Sequence, residues 1–166
     1  NPNIGCSLDK IAIIIVNAED PLQGNPIVIF AHGNGELAID YLPYQENFCP
    51  YGISICCVDY RGYGFSDGEF GTGGTEPDDI ITVINYLKKH GYHKISFFGY
   101  SLGARCGIYA AAKFPDLTCV VLDSPYLSTY EWTKYKANFF ENIDQERFEK
   151  VIPYVYEKIK EVLGID

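Results

Sequence analysis

Basic residues are scarce in this sequence: 13 Lys and Arg stand against 22 Asp and Glu, for a net charge of −9. A chain this acidic is not built to hold nucleic acid or an anionic membrane surface. Histidine is scarcer still, at three residues, and His32, His90 and His93 all lie in the first 93 positions. Methionine is absent and the chain begins at Asn1, which leaves its natural start open. The six cysteines include no CxxC pair and no Cys/His cluster with zinc spacing, so no metal site is expected. Cys56, Cys57, Cys106 and Cys119 fall in apolar segments, which predicts reduced core thiols in a cytoplasmic protein rather than secreted disulfides. No apolar run approaches the length of a membrane span, and none reads as a signal peptide.

What is present is ordinary globular composition, 47% hydrophobic and 21% charged over 166 residues. Short β-branched or aromatic runs at Lys10–Val16, Pro26–Ala31, Ile53–Asp59, Lys94–Gly99 and Thr118–Asp123 are bounded by Gly, Pro, Asn or Asp. They lack polar alternation, as parallel strands covered on both faces do. Between them the pattern predicts helices at Gly35–Phe48, Glu76–His90 and Ser101–Lys113. The helix over Glu76–His90 has Pro77 and two aspartates at its start and Gly91 as its stop. Strands alternating with helices give an α/β fold, a mostly parallel twisted sheet flanked by helices. The whole chain reads as one domain, with a core over about 10–126 and a helical, lid-like segment over about 127–166. No strand is expected after Asp123.

The densest chemical signal is Gly99-Tyr100-Ser101-Leu102-Gly103, between a strand and a helix. Such a turn lifts the Ser101 hydroxyl above the carboxyl edge of the sheet. It needs glycines two residues to either side, where a Cβ would meet the adjoining strand and helix. The helix start points backbone N–H groups at the reacting oxygen, so Leu102 is one expected donor to an oxyanion. Ile27–Ala31 runs into His32-Gly33-Asn34-Gly35, a glycine-rich turn that offers the second donor, assigned to Asn34. His32 reads as a prop for that loop rather than a base. Asp59 and Arg61 begin another glycine-rich turn that an ion pair between them can fix as structural support, with substrate contact from Tyr60 or Tyr63 as the alternative. Gly71-Thr72-Gly73-Gly74 lacks the Lys-Ser/Thr of a phosphate-binding loop, and no GxGxxG follows a strand. No cofactor is implied.

Four blocks in order, Ala31–Gly35, Asp59–Gly68, Gly99–Ala104 and Val121–Pro125, resemble the α/β-hydrolase superfamily, in its Bem46-like and serine-aminopeptidase-like branch. The resemblance covers about Ile11 to Tyr126. It implies an eight-stranded sheet, a Ser–Asp–His triad, and oxyanion donors at the residue after His-Gly and the one after the serine, which are Asn34 and Leu102. In that family the acid and then the histidine come from two later strands, and nothing here matches either one. Asp123 is a candidate acid, although the family's aspartate in Leu-Asp-Ser-Pro is not usually the triad acid.

The expected function is a serine hydrolase cleaving an ester, thioester or amide through an acyl-enzyme on Ser101, present as an incomplete domain. As given, the chain is expected to be inactive for lack of a triad histidine. The expected partner is a small-molecule, acyl or peptidyl substrate. Trp132, Tyr135, Phe139, Phe140 and Tyr154 either line an acyl pocket or pack the helices on the sheet. The alternative is a non-catalytic binding or scaffold protein on a truncated hydrolase fold. Haloalkane or epoxide chemistry needs a carboxylate where Ser101 stands. No motif bears on the oligomeric state.

Overall fold

The computed structural model describes residues 10–70, 74–126 and 128. The chain forms two compact units, Asn1–Pro125 and Tyr126–Asp166, and the first carries everything that follows.

Among the described residues five strands form one sheet: β1 (Ile13–Val16), β2 (Pro26–Ala31), β3 (Ser54–Val58), β4 (Lys94–Tyr100) and β5 (Cys119–Asp123). Their order across the sheet is β1-β3-β2-β4-β5. Strands β2 to β5 run parallel, and β1 pairs antiparallel with β3 on the edge. Strand β3 (SICCV) is buried at all five positions, which explains its lack of polar alternation. Its two cysteines sit in that core. Burial pushes the Cys57 thiol up to about 12 and Cys56 well above its ordinary value. Among the described residues Cys49, Cys56, Cys57, Cys106 and Cys119 are all free thiols.

Helix α2 (Glu76–Lys89) has Pro77 in its first turn with Glu76, Asp78 and Asp79, and Lys88 and Lys89 in its last. Acid at the start and base at the end complement the helix dipole. It packs against α3 (Leu102–Lys113), which lies on the sheet face formed by Ile27, Ile29 and Ala31 of β2 and Ile95, Phe97 and Gly99 of β4. A Cβ on Gly107 would sit 2.6 Å from the Phe97 ring and 2.5 Å from Leu122, so α3 approaches the sheet closely. Phe30 dominates the other face. Its ring packs against Tyr41, Tyr44, Phe48 and Phe98 with centroids 5.2–5.8 Å apart.

Two expectations need correction here. Gly35–Phe48 is not one helix: the chain makes a 3-10 stretch at Ala38–Tyr44, a single turn α1 at Gln45–Phe48, and a second 3-10 turn at Cys49–Tyr51. Pro43 lies inside the first stretch and Pro50 in the last, and each lacks the N–H that a continuous α-helix needs. The first strand is also shorter than Lys10–Val16 and antiparallel, because the pattern of apolar residues carries no information on direction.

Candidate active site

Strand β4 ends at Tyr100 and α3 begins at Leu102, so Ser101 alone makes the turn. Its backbone sits at φ 51°, ψ −104°, a left-handed conformation that costs a non-glycine residue on the order of 1–3 kcal/mol. The surrounding packing enforces it. A Cβ on Gly103 would lie 1.9 Å from the Ala31 carbonyl oxygen, and one on Gly99 would lie 2.3 Å from that of Gly103. The Ser101 N–H donates to the Asp123 carbonyl at 2.8 Å and the Gly103 N–H to that of His32 at 3.1 Å. These bonds tie the elbow to β5 on one side and to the loop after β2 on the other. The Ser101 residue is partly exposed.

The loop His32–Glu36 reaches the elbow from the β2 side. A Cβ on Gly33 would come within 2.9 Å of the Tyr100 ring, so this position accommodates only glycine without movement. The Gly33 N–H donates to Glu36 Oε2 at 2.8 Å, and the same oxygen accepts the Tyr41 hydroxyl at 2.8 Å. Asn34 Oδ1 accepts the Tyr63 hydroxyl at 2.7 Å. The backbone amides of Asn34 and Leu102 make no hydrogen bond among the described residues. Both lie on the two segments that the Gly103–His32 hydrogen bond joins. Glu36 is missed by the sequence reading. A carboxylate three residues after a glycine amide, the reach of a capping side chain, is the signal for Glu36.

His32 is fully buried. Its Nδ1 lies 2.7 Å from the Gly33 carbonyl oxygen, so this nitrogen carries a proton and donates. Its main-chain carbonyl also accepts the Tyr60 hydroxyl at 2.9 Å. The ring packs between Tyr60 and Tyr63, with Nε2 3.8 Å from Asp59 Oδ1 and no hydrogen bond there. Burial lowers its pKa, outweighing the raising effects of the Gly33 bond and of Asp59. The other histidines lie at the far edge. His93 immediately precedes β4, whose seven residues span about 20 Å at roughly 3.3 Å each. His90 is exposed at the end of α2, stacked on Tyr86 with its ring against that residue's carbonyl.

Asp123 pairs in register with Tyr100 at the nucleophile's edge of the sheet. It is exposed, and its Oδ1 accepts the Ser124 hydroxyl at 2.8 Å. The expected Asp59–Arg61 ion pair does not form. Arg61 instead grips Asp79 of α2 through its guanidinium and also donates its backbone N–H at 3.0 Å. Asp79 is 1% exposed and offers a buried carboxylate from 18 residues away, a partner that local reading does not reveal. Asp59 turns inward and accepts the Ala38 N–H at 2.8 Å. A Cβ on Gly64 would sit 2.1 Å from its Oδ2, which accounts for one of the glycines in that turn.

Among the described residues no group of three His, Cys, Asp or Glu side chains is arranged to hold a metal, and no helix is long and apolar enough to cross a membrane. A cavity of about 560 Å³ lined by Val16, Glu19, Glu46 and Cys49 lies toward the start of β3, at the edge of the sheet opposite Ser101. All but Ser128 of the expected helical segment over about 127–166, with its aromatics Trp132, Tyr135, Phe139, Phe140 and Tyr154, and most of the loop Gly71-Thr72-Gly73-Gly74 lie outside the described residues.

Residues 23–160 match the sequence profile of the family described as "Serine aminopeptidase, S33". An uncharacterized membrane protein of Saccharomyces cerevisiae is 32% identical over 156 residues, which cover 92% of this chain and 48% of that protein. A 2-(acetamidomethylene)succinate hydrolase of Mesorhizobium japonicum is 36% identical over 124 residues, covering 72% of this chain and 43% of the other. The chain thus spans less than half the length of either relative. Among solved structures, the Pyrococcus furiosus esterase Pf2001 aligns with a TM-score of 0.68 at 21% identity, covering 95% of this chain and 58% of that one. Est1E of Butyrivibrio proteoclasticus, with ferulic acid bound, aligns with a TM-score of 0.64 at 24% identity over 80% of this chain and 55% of that one. At such identities these two likenesses establish a shared fold.

Proposed function

Because this chain belongs to the serine aminopeptidase family of α/β-hydrolases, we propose that it carries the nucleophile and oxyanion site of a serine hydrolase acting on an ester, thioester or amide. The observation that carries the reading is the left-handed Ser101 at the β4–α3 turn, with the Asn34 amide of the loop after β2 and the Leu102 amide at the start of α3 both lacking protein partners among the described residues.

In this reading the Ser101 hydroxyl oxygen attacks the acyl carbonyl and its proton passes to a base. The carbonyl oxygen takes the negative charge and receives the Asn34 and Leu102 N–H groups. The leaving group departs with a proton, and water then releases the acyl group from Ser101 by the reverse sequence. Each oxyanion donor is worth about 10²–10³ in rate, and backbone amides need no reorganisation to supply it. A free hydroxyl is a poor nucleophile, so a base is indispensable. His32 does not fill that role, since its ring is committed to the Gly33 carbonyl and faces Asp59. His90 and His93 belong to the opposite edge. The reading therefore assigns the histidine to sequence outside these 166 residues and expects them alone to be inactive. Asp123 stays a minor candidate for the acid.

The likeness to the Mesorhizobium japonicum hydrolase and the fold shared with the Pyrococcus furiosus esterase support hydrolysis of acyl compounds without choosing among them. A cytoplasmic location belongs to the same proposal, supported by the buried free thiols of β3, while the yeast relative is described as a membrane protein. The second reading, a non-catalytic binding protein on this fold, is favoured by one observation: among the described residues no histidine ring accompanies Ser101. Assaying the full-length protein against p-nitrophenyl esters, acyl-thioesters and aminoacyl amides separates the two. Turnover of one class, lost in Ser101→Ala, is expected; inertness toward all three rules for the binding protein.

A further inference from the structure

A loop that offers an oxyanion donor must present one amide and hide the others. Here the N–H and the carbonyl of Gly33 are both engaged. Its N–H is bonded to Glu36 Oε2 at 2.8 Å, and its carbonyl accepts both His32 Nδ1 at 2.7 Å and the Glu36 N–H at 3.3 Å. Glu36 is not a loose surface acid. Tyr41, 7% exposed and packed on Phe30, holds the same carboxylate oxygen through its hydroxyl at 2.8 Å. The carboxylate therefore links the loop to the aromatic core of the sheet. On the other side Tyr63, wedged between His32 and Phe70, fixes the Asn34 side chain.

We infer that Glu36, anchored by Tyr41, is a positioning residue that selects the oxyanion donor: by capturing the Gly33 amide it sets the loop turn that presents the Asn34 amide to the Ser101 side. The inference rests on the proposed hydrolase reading. Its chemistry requires an acceptor at residue 36, not a negative charge. The Glu36 carboxylate oxygen faces two donors, the Gly33 N–H and the Tyr41 hydroxyl, and each of these bonds needs an acceptor rather than a charge. Glutamine retains a carbonyl oxygen for both donors, whereas alanine frees the Gly33 amide to turn outward.

The test compares full-length wild type with Glu36→Ala, Glu36→Gln and Tyr41→Phe, measuring ester kcat and KM, phosphonate reactivity at Ser101, and the Gly33 amide by NMR. Glu36→Ala is expected to lower kcat about 100-fold, the cost of one lost oxyanion donor, with KM within about threefold. Glu36→Gln should restore kcat to within about tenfold of wild type, and the Gly33 amide resonance should move upfield in the alanine variant only. Should the alanine variant not fold, Tyr41→Phe carries the test, with a several-fold fall in kcat at unchanged KM. Wild-type kcat in a folded Glu36→Ala or Tyr41→Phe variant overturns the inference alone. Equal loss in Glu36→Gln and Glu36→Ala also overturns it. A wild type whose Ser101 resists the phosphonate overturns the hydrolase reading, and this inference with it.

Discussion

The amide of Gly103 donates to the carbonyl oxygen of His32 at 3.1 Å, joining the first turn of the elbow helix to the loop after β2. That single bond brings the two halves of the candidate oxyanion site onto one frame. It also explains why residue 103 has no room for a side chain.

Replacing Gly103 by alanine puts a methyl group 1.9 Å from the Ala31 carbonyl oxygen, a backbone atom in the middle of the sheet. Neither partner can yield without shifting α3 from β2. The substitution is expected to destabilise the protein by about 3 kcal/mol or more, at the upper end of overpacking costs. Urea denaturation measures it, and a loss under about 1 kcal/mol would mean that α3 slides freely.

Ser101 itself stores strain. Ser101→Gly relieves the left-handed backbone and should raise stability by about 1 kcal/mol, or roughly 2–4 °C in Tm for a chain of this size. Ser101→Ala keeps the strain and should leave Tm nearly unchanged. Equal Tm in the two variants, by calorimetry, would show that φ 51° at this turn is unstrained.

Arg61 and Asp79 make the polar anchor beneath the loop after β3. Arg61→Ala leaves a carboxylate that is 1% exposed without its guanidinium partner, at a cost of about 3 kcal/mol. Lysine should rescue little of this, because it cannot present two parallel donors. A double-mutant cycle with Asp79→Asn measures the coupling, and a value near zero would contradict the assignment.

His32 gives stability a pH dependence of definite sign. Its folded pKa is lowered by burial, so the unfolded chain binds a proton more readily. Its contribution is fully present above the unfolded value near 6.5. It is lost as the pH falls from there through the lowered folded value. Between pH 7 and 5 the wild type should lose more stability than His32→Asn. The reverse order would mean that a proton settles between Nε2 and Asp59.

The parts of this site that were legible in the sequence are those whose causes are local. Gly99, Ser101 and Gly103 are spaced by the geometry of one turn, and His32-Gly33-Asn34 follows its own strand, so residue spacing alone locates them. Helix α2 declares itself through Pro77, its charges and Gly91 for the same reason. What escaped depends on distant partners. Arg61 chooses Asp79 on α2 over Asp59, two residues away, because Asp59 faces inward toward Ala38 and His32. Ala38–Phe48 has helical composition, but Pro43 and the docking of Tyr41 on Phe30 divide it into short turns. The pairing of Glu36 with Gly33 and Tyr41 needed the folded loop to become visible.

The central claim, that Ser101 is an activated nucleophile facing an oxyanion site, is tested most directly by a fluorophosphonate probe on the folded full-length protein, with the modified peptide identified by mass spectrometry. The account predicts one adduct, on Ser101, absent from Ser101→Ala and strongly reduced by proline at position 34, which removes the Asn34 amide hydrogen. No adduct on the folded wild type, or an adduct that persists in Ser101→Ala, would contradict it.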